Sequence, residues 1–129
     1  MTILEHESLG LHTTLRVGGK ARFFTTVSSI EELREALAFA RERELPLAIL
    51  GGGSNTLADD SGFDGLVIKV ALGGITFNEG EEKVTVEVGA GVSWDELVSL
   101  VAARDLWGIE NLAGIPGTVG GAVVQNIGA

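Results

Sequence analysis

The chain has 129 residues, enough for one domain with a core of its own. Its 18 acidic residues outweigh nine basic ones, and a formal net charge of −9 argues against nucleic acid and anionic membrane surfaces as partners. The absence of cysteine removes disulfides, thiolate metal sites and a thiol nucleophile, and no segment approaches the length of a membrane span.

Met1 to Gly10 has no apolar stretch of the kind that forms a secretion signal, so the default location is cytoplasmic. Residues 1–20 read as a loosely patterned lead-in that ends in Thr13-Thr14-Leu15-Arg16-Val17-Gly18-Gly19, where β-favouring residues run into a glycine pair. His6 and His12 have no second ligand at metal spacing and read as solvated side chains. Phe23 to Val27 is a short strand. Ser29 and Glu32 then make an S-x-x-E capping box, and Ile30, Leu33, Leu37 and Ala40 recur at helical spacing. The helix is expected to reach about Glu44 and to stop before Pro46. Leu47 to Leu50 is the next strand, expected beside the first as a parallel βαβ unit.

Leu50 opens into Gly51-Gly52-Gly53-Ser54-Asn55-Thr56, and the residues from Thr56 to Gly65 read as loop. Asp59, Asp60 and Asp64 miss the EF-hand spacing and its closing Glu, so they are turn carboxylates and no metal site is assigned. Leu66 to Val70 is a third strand. Ile75 to Phe77 and Lys83 to Val88 flank a hairpin-like loop, with Val84, Val86 and Val88 alternating against Thr85 and Glu87. After Gly89-Ala90-Gly91, a second capping box, Ser93 with Glu96, opens a helix whose stripe is Trp94, Leu97, Val98 and Val101, ending near Arg104. Trp94 and Trp107 read as packing residues. The pattern as a whole is α/β to α+β: a βαβ part over about residues 20–70, then mostly antiparallel strands with one helix.

Three phosphate-binding readings compete for the first glycine cluster, and spacing removes two. A Walker A loop needs a Lys after its last glycine, and none is present; a Rossmann turn needs a third spaced glycine and an immediate helix, where Thr56 and a polar loop stand instead. Gly89-Ala90-Gly91-Val92-Ser93-Trp94 has the strand-before, helix-after setting, but Trp94 occupies the place that close helix packing reserves for a small residue, so it reads as a structural turn. No Lys or Arg occurs between Arg43 and Lys69 or after Arg104. An anion at either glycine cluster is therefore held by backbone amides and small side chains, which suits the diphosphate of a dinucleotide better than a free triphosphate. Ser54, Asn55 and Thr118 supply side-chain donors, and Gly117, Gly120 and Gly121 admit the backbone to close range. The same glycines also admit a purely structural reading as turns and close-packing points.

Leu-Gly-Gly-Gly-Ser-Asn at 50–55, Gly-Ile-Glu-Asn-Leu-Ala-Gly-Ile-Pro-Gly-Thr-Val-Gly-Gly-Ala at 108–122, Gln-Asn-Ile-Gly-Ala at 125–129 and the Thr13–Gly19 stretch together resemble the UDP-N-acetylenolpyruvoylglucosamine reductase family. The resemblance implies an FAD-binding domain of the p-cresol methylhydroxylase or vanillyl-alcohol-oxidase type. It also implies a site in which Leu50, Gly51, Gly52, Gly53, Ser54, Asn55 and Thr56 wrap the diphosphate and ribityl chain. Gly114, Ile115, Pro116, Gly117, Thr118, Gly120, Gly121 and Ala122 close on the same groups, with Asn126 and Gly128 near the flavin ring. By the same resemblance NADPH reduces FAD, and the reduced flavin reduces the enolpyruvyl group of a UDP-sugar, the small-molecule substrate. Family members continue past Asn-Ile-Gly-Ala, and their catalytic serine, arginine and glutamate have no counterpart here. The expectation is an FAD-binding fragment without the substrate domain, unable to turn over by itself.

Overall fold

The computed structural model describes residues 1–128; Ala129, at the end of the second glycine-rich stretch, lies outside the described residues. The elements in chain order are β1 (Leu4–Ser8), β2 (Lys20–Val27), α1 (Ile30–Glu42), β3 (Leu47–Leu50), β4 (Phe63–Val70), β5 (Ile75–Glu79), β6 (Val84–Val88), α2 (Trp94–Ala102) and α3 (Val119–Val124). The first four strands form one sheet in the order β1-β2-β4-β3, and β5 pairs with β6 in a separate antiparallel hairpin.

The lead-in is more regular than its sequence pattern implies. β1 runs antiparallel to β2 with Leu4 opposite Phe24, and a 3-10 turn over Leu9–His12 buries Leu9 against that sheet. His12 is not a solvated side chain. Its ring stacks on Phe24 at 4.2 Å between centroids, and its Nε2 lies 3.0 Å from Glu7 Oε1.

β2 and β3 are parallel but not neighbours, which corrects the simple βαβ expectation. β4 stands between them and runs parallel to both, with Phe24 opposite Val67 and Ile49 opposite Ile68. The reason lies in the side chains of β4: Leu66, Val67 and Ile68 are a continuous apolar run, suited to a strand covered on both faces. Ile49 of β3, by contrast, is 61% exposed and sits at the sheet edge. On one face Phe24, Val67 and Leu50 pack with Leu9; on the other Leu66, Ile68 and Val27 pack under α1.

Helix α1 begins where the capping box places it. Ser29 Oγ accepts from the Glu32 amide at 3.1 Å, and Glu32 Oε2 accepts from the Ser28 amide at 2.8 Å and its hydroxyl at 2.9 Å. The return bond thus goes to the residue before the cap. The inward stripe is Leu33, Ala36, Phe39 and Ala40, while Ile30 and Leu37 are exposed. The two alanines let the helix lie close to the strands. The helix stops at Glu42, just short of the expected end.

The second layer gathers the hairpin, α2 and α3 around Trp94, Leu97, Val98, Val101 and Ala122. The α2 stripe is the one its spacing predicts, but Ser93 makes no side-chain cap bond. Its backbone instead forms a β-bridge with Thr118, which ties the start of α2 to the second glycine-rich stretch. Trp107 does not pack either: it is 88% exposed, past the end of the stripe.

Replacing Ser29 by Ala removes the α1 cap, and urea unfolding is expected to show a loss of about 1 kcal/mol. The Glu32 carboxyl is held below its ordinary range by the Ser28 amide and then the Ser28 hydroxyl. Its folded pKa lies below its unfolded one, so its contribution is complete above the usual Glu range and is lost as pH falls through the depressed value. Unfolding profiles against pH should therefore show a shallower acid-side decline for Glu32→Gln than for the unsubstituted chain.

Candidate functional site

β3 ends at the sheet edge with Leu50 buried, and the chain turns at Gly51-Gly52-Gly53 directly over the 3-10 turn. Gly53 has φ +71, and a Cβ built on it would stand 2.1 Å from His12 O. Only a residue without a side chain fits there. The Thr14 amide donates to Gly53 O at 3.0 Å, so the Thr13–Gly19 stretch is the seat on which the turn rests. Thr13 Oγ1 is buried beside it without a hydrogen-bond partner among the described residues.

The second glycine-rich stretch meets the first from the other layer. A Cβ on Gly52 would lie 3.3 Å from Gly117 Cα, and one on Gly51 would lie 2.7 Å from Thr118 Oγ1. Ser54 Oγ donates to Pro116 O at 3.1 Å across the gap. Residues 117–120 are held from behind by the Gly89–Trp94 segment: Trp94 N donates to Gly117 O, Val119 N to Val92 O and Gly120 N to Ala90 O, at 3.0, 2.9 and 2.9 Å. The turn read as purely structural is thus the frame for one wall of a cleft, and Ala90 also lines it.

That cleft has a volume of about 420 Å³ and is lined by Leu50 to Thr56 on one side and by Gly117, Thr118, Gly120 and Gly121 on the other. Its lining includes no charged side chain. Among the described residues, the amides of Gly52, Gly53, Ser54 and Asn55, and of Gly117 and Thr118 opposite, donate to no protein acceptor. Amides without a protein acceptor, gathered in a concavity, are an anion-binding arrangement. The donor set fits the diphosphate of a dinucleotide: neutral, short-range, and with room for backbone approach.

Other predicted residues fall elsewhere. Pro116 contributes its carbonyl to Ser54, and Ala122 is buried in the second core against α2. Gly114, Ile115, Asn126 and Gly128 are outside the cleft lining. Asn126 follows α3 at φ +55. Sequence reading missed Ile49, Val70, Val124 and Gln125, which add a mostly apolar margin to the cleft. The apolar runs of β3 and β4 mark Ile49 and Val70 as strand residues; nothing local marks them as cleft residues. A larger groove of about 870 Å³ lies between the hairpin and α2, lined by Val84, Val86, Leu97 and Trp107 among others, and of residues 50–56 and 114–128 it contains only Val119.

A parallel sheet edge and a facing glycine-rich turn, closing on a cleft of free amides, define a dinucleotide-binding domain. The family model described as "FAD binding domain" matches residues 21–129, and the chain belongs to that family. Its sequence is similar to UDP-N-acetylenolpyruvoylglucosamine reductases. The protein of that name from Desulforamulus reducens is 42% identical over 96% of this chain and 40% of its own length. The one from Geobacter metallireducens is 44% identical over 98% of this chain and 42% of its own. Among solved structures, UDP-N-acetylenolpyruvylglucosamine reductase (MurB) from Thermus caldophilus matches with a TM-score of 0.69 and 35% identity, covering 99% of this chain and 42% of that one. The chain therefore spans about two-fifths of the length of the relatives it matches. Among the described residues, no helix is long and apolar enough to cross a membrane.

Gly53→Ala is expected to destabilise the fold by about 3 kcal/mol, through a left-handed backbone and overlap with His12 O. Gly73→Ala, where nothing lies within 4 Å of the new methyl, should stay within about 0.5 kcal/mol in the same urea titration.

Proposed function

We propose that this chain is the FAD-binding part of a UDP-N-acetylenolpyruvoylglucosamine reductase, and that the cleft between the two glycine-rich stretches holds the cofactor's diphosphate. The observation that carries the reading is the approach of Gly52 to Gly117, with residues of both stretches whose amides have no protein acceptor lining one uncharged cleft. Gly52 to Asn55, Gly117 and Thr118 would hold the diphosphate, while Ser54 holds the two stretches in register through Pro116 O. Gly51, Thr56, Gly120 and Gly121 complete the walls, and Ile49, Val70 and Val124 form an apolar margin at the rim. Asn126 and Gly128, beyond α3, are assigned to the flavin-ring end by family resemblance.

When bound, FAD supplies hydride transfer from NADPH to the enolpyruvyl double bond of UDP-N-acetylglucosamine enolpyruvate, giving UDP-N-acetylmuramate, a cytoplasmic precursor of peptidoglycan. The residues described here bind and orient; none is assigned a proton-transfer role. The 129-residue chain is expected to retain FAD without reducing the UDP-sugar. A two-part division supports this role, with residues of about 20–70 presenting the first stretch and the following residues presenting the second.

Titration of FAD into the purified chain, followed by flavin fluorescence, should give saturable binding, and its absence would remove the proposal. Gly52→Val places a branched side chain against Gly117, so it should weaken FAD binding at least about tenfold, measured below the unfolding transition, and overpacking should cost about 1–3 kcal/mol in urea. Grafted in place of the matching segment of the Geobacter metallireducens reductase, the chain should support NADPH oxidation that depends on the UDP-sugar. A graft that retains FAD but leaves that substrate untouched would assign the domain to another flavoenzyme.

A further inference from the structure

The second wall of the cleft is delivered by residues 112–118, and the first turn of α2 holds this segment at three points. Trp94 Nε1 donates to Leu112 O at 2.9 Å, Asp95 Oδ1 accepts from the Gly114 amide at 2.8 Å, and Trp94 N donates to Gly117 O at 3.0 Å. The first and last fix the ends. Between them the chain turns at Gly114 with φ +76, and nothing lies within 4 Å of the place where its Cβ would be. Leu112 and Ile115 on either side pack against the second core, and Asp95 is the side chain that bonds the turn itself. Two residues further on, Pro116 O receives Ser54 Oγ and Gly117 faces Gly52.

We infer that Asp95 is a positioning residue for the cofactor: its carboxylate fixes the Gly114 turn so that Pro116 and Gly117 reach the first glycine-rich stretch in binding geometry. The inference rests on the proposal that this cleft binds FAD. Asp95 touches neither wall of the cleft and is exposed, so it acts through the loop. It also sits in the first turn of α2, where a negative charge favours the helix by a separate electrostatic effect. Asparagine distinguishes the two, since it keeps an Oδ1 acceptor and loses the charge.

The experiment measures FAD affinity, urea stability without FAD, and amide hydrogen exchange at Gly114 for the unsubstituted 129-residue chain, Asp95→Ala and Asp95→Asn. Asp95→Ala should weaken FAD binding about tenfold and accelerate exchange at Gly114, as expected for one lost charge-assisted hydrogen bond. Asp95→Asn should bind FAD within about twofold of the unsubstituted chain and keep the Gly114 amide protected. Asp95→Ser is read in place of the alanine variant should that one fail to fold. Unchanged affinity in the alanine or serine variant, or an equal loss in Asp95→Asn, overturns the inference while leaving FAD binding intact. Failure of the unsubstituted chain to bind FAD overturns the functional proposal itself.

Discussion

The structure depends on a backbone-to-backbone approach between Gly52 and Gly117. With a notional Cβ only 3.3 Å from the opposing Cα, the two stretches meet at a distance that ordinary side chains would fill. Everything else in the fold serves to bring these segments, far apart in sequence, to that distance from opposite layers. Each has its own seat. The first rests on His12 O and is bonded by Thr14; the second lies against Ala90, Val92 and Trp94.

On the proposed function, this arrangement lets a protein with net charge −9 offer a site for an anion. At physiological ionic strength charges beyond about 8 Å are largely screened, so the general acidity of the surface weighs little against donors in direct contact. Amides carry no net charge, need no counter-ion when the cleft is empty, and keep fixed directions because the backbone holds them. A cleft built from lysines would bind phosphate in any setting. One built from amides selects an anion that fits the spacing of its walls.

The division into layers also distributes the consequences of mutation. The first sheet is secured by apolar burial on both faces of β4, with α1 on one side and the N-terminal segment on the other. The first glycine-rich turn therefore inherits the rigidity of a central sheet. The second stretch belongs to a smaller core of hairpin, α2 and α3, and is held by individual hydrogen bonds as much as by packing. Single substitutions on α2 can thus reach the cleft while leaving the main sheet intact.

What the sequence determined by itself was local. The capping box at Ser29, the α2 stripe, the hairpin alternation and the glycine clusters each follow from the chemistry of a few adjacent residues, and each was legible without coordinates. Family motifs added the cofactor. Tertiary structure decided the rest: that β4 displaces β3 from β2, that Ser93 bridges to Thr118 and leaves α2 without a side-chain cap, that His12 stacks on Phe24, and that Trp107 is exposed. These are choices between partners distant in the chain, and the residues involved carry the same local pattern whichever partner wins. Ile49 shows the point: the short apolar run it belongs to gives a strand, but only the position of that strand at the edge, beside Gly51 and Val124, makes it part of a cleft.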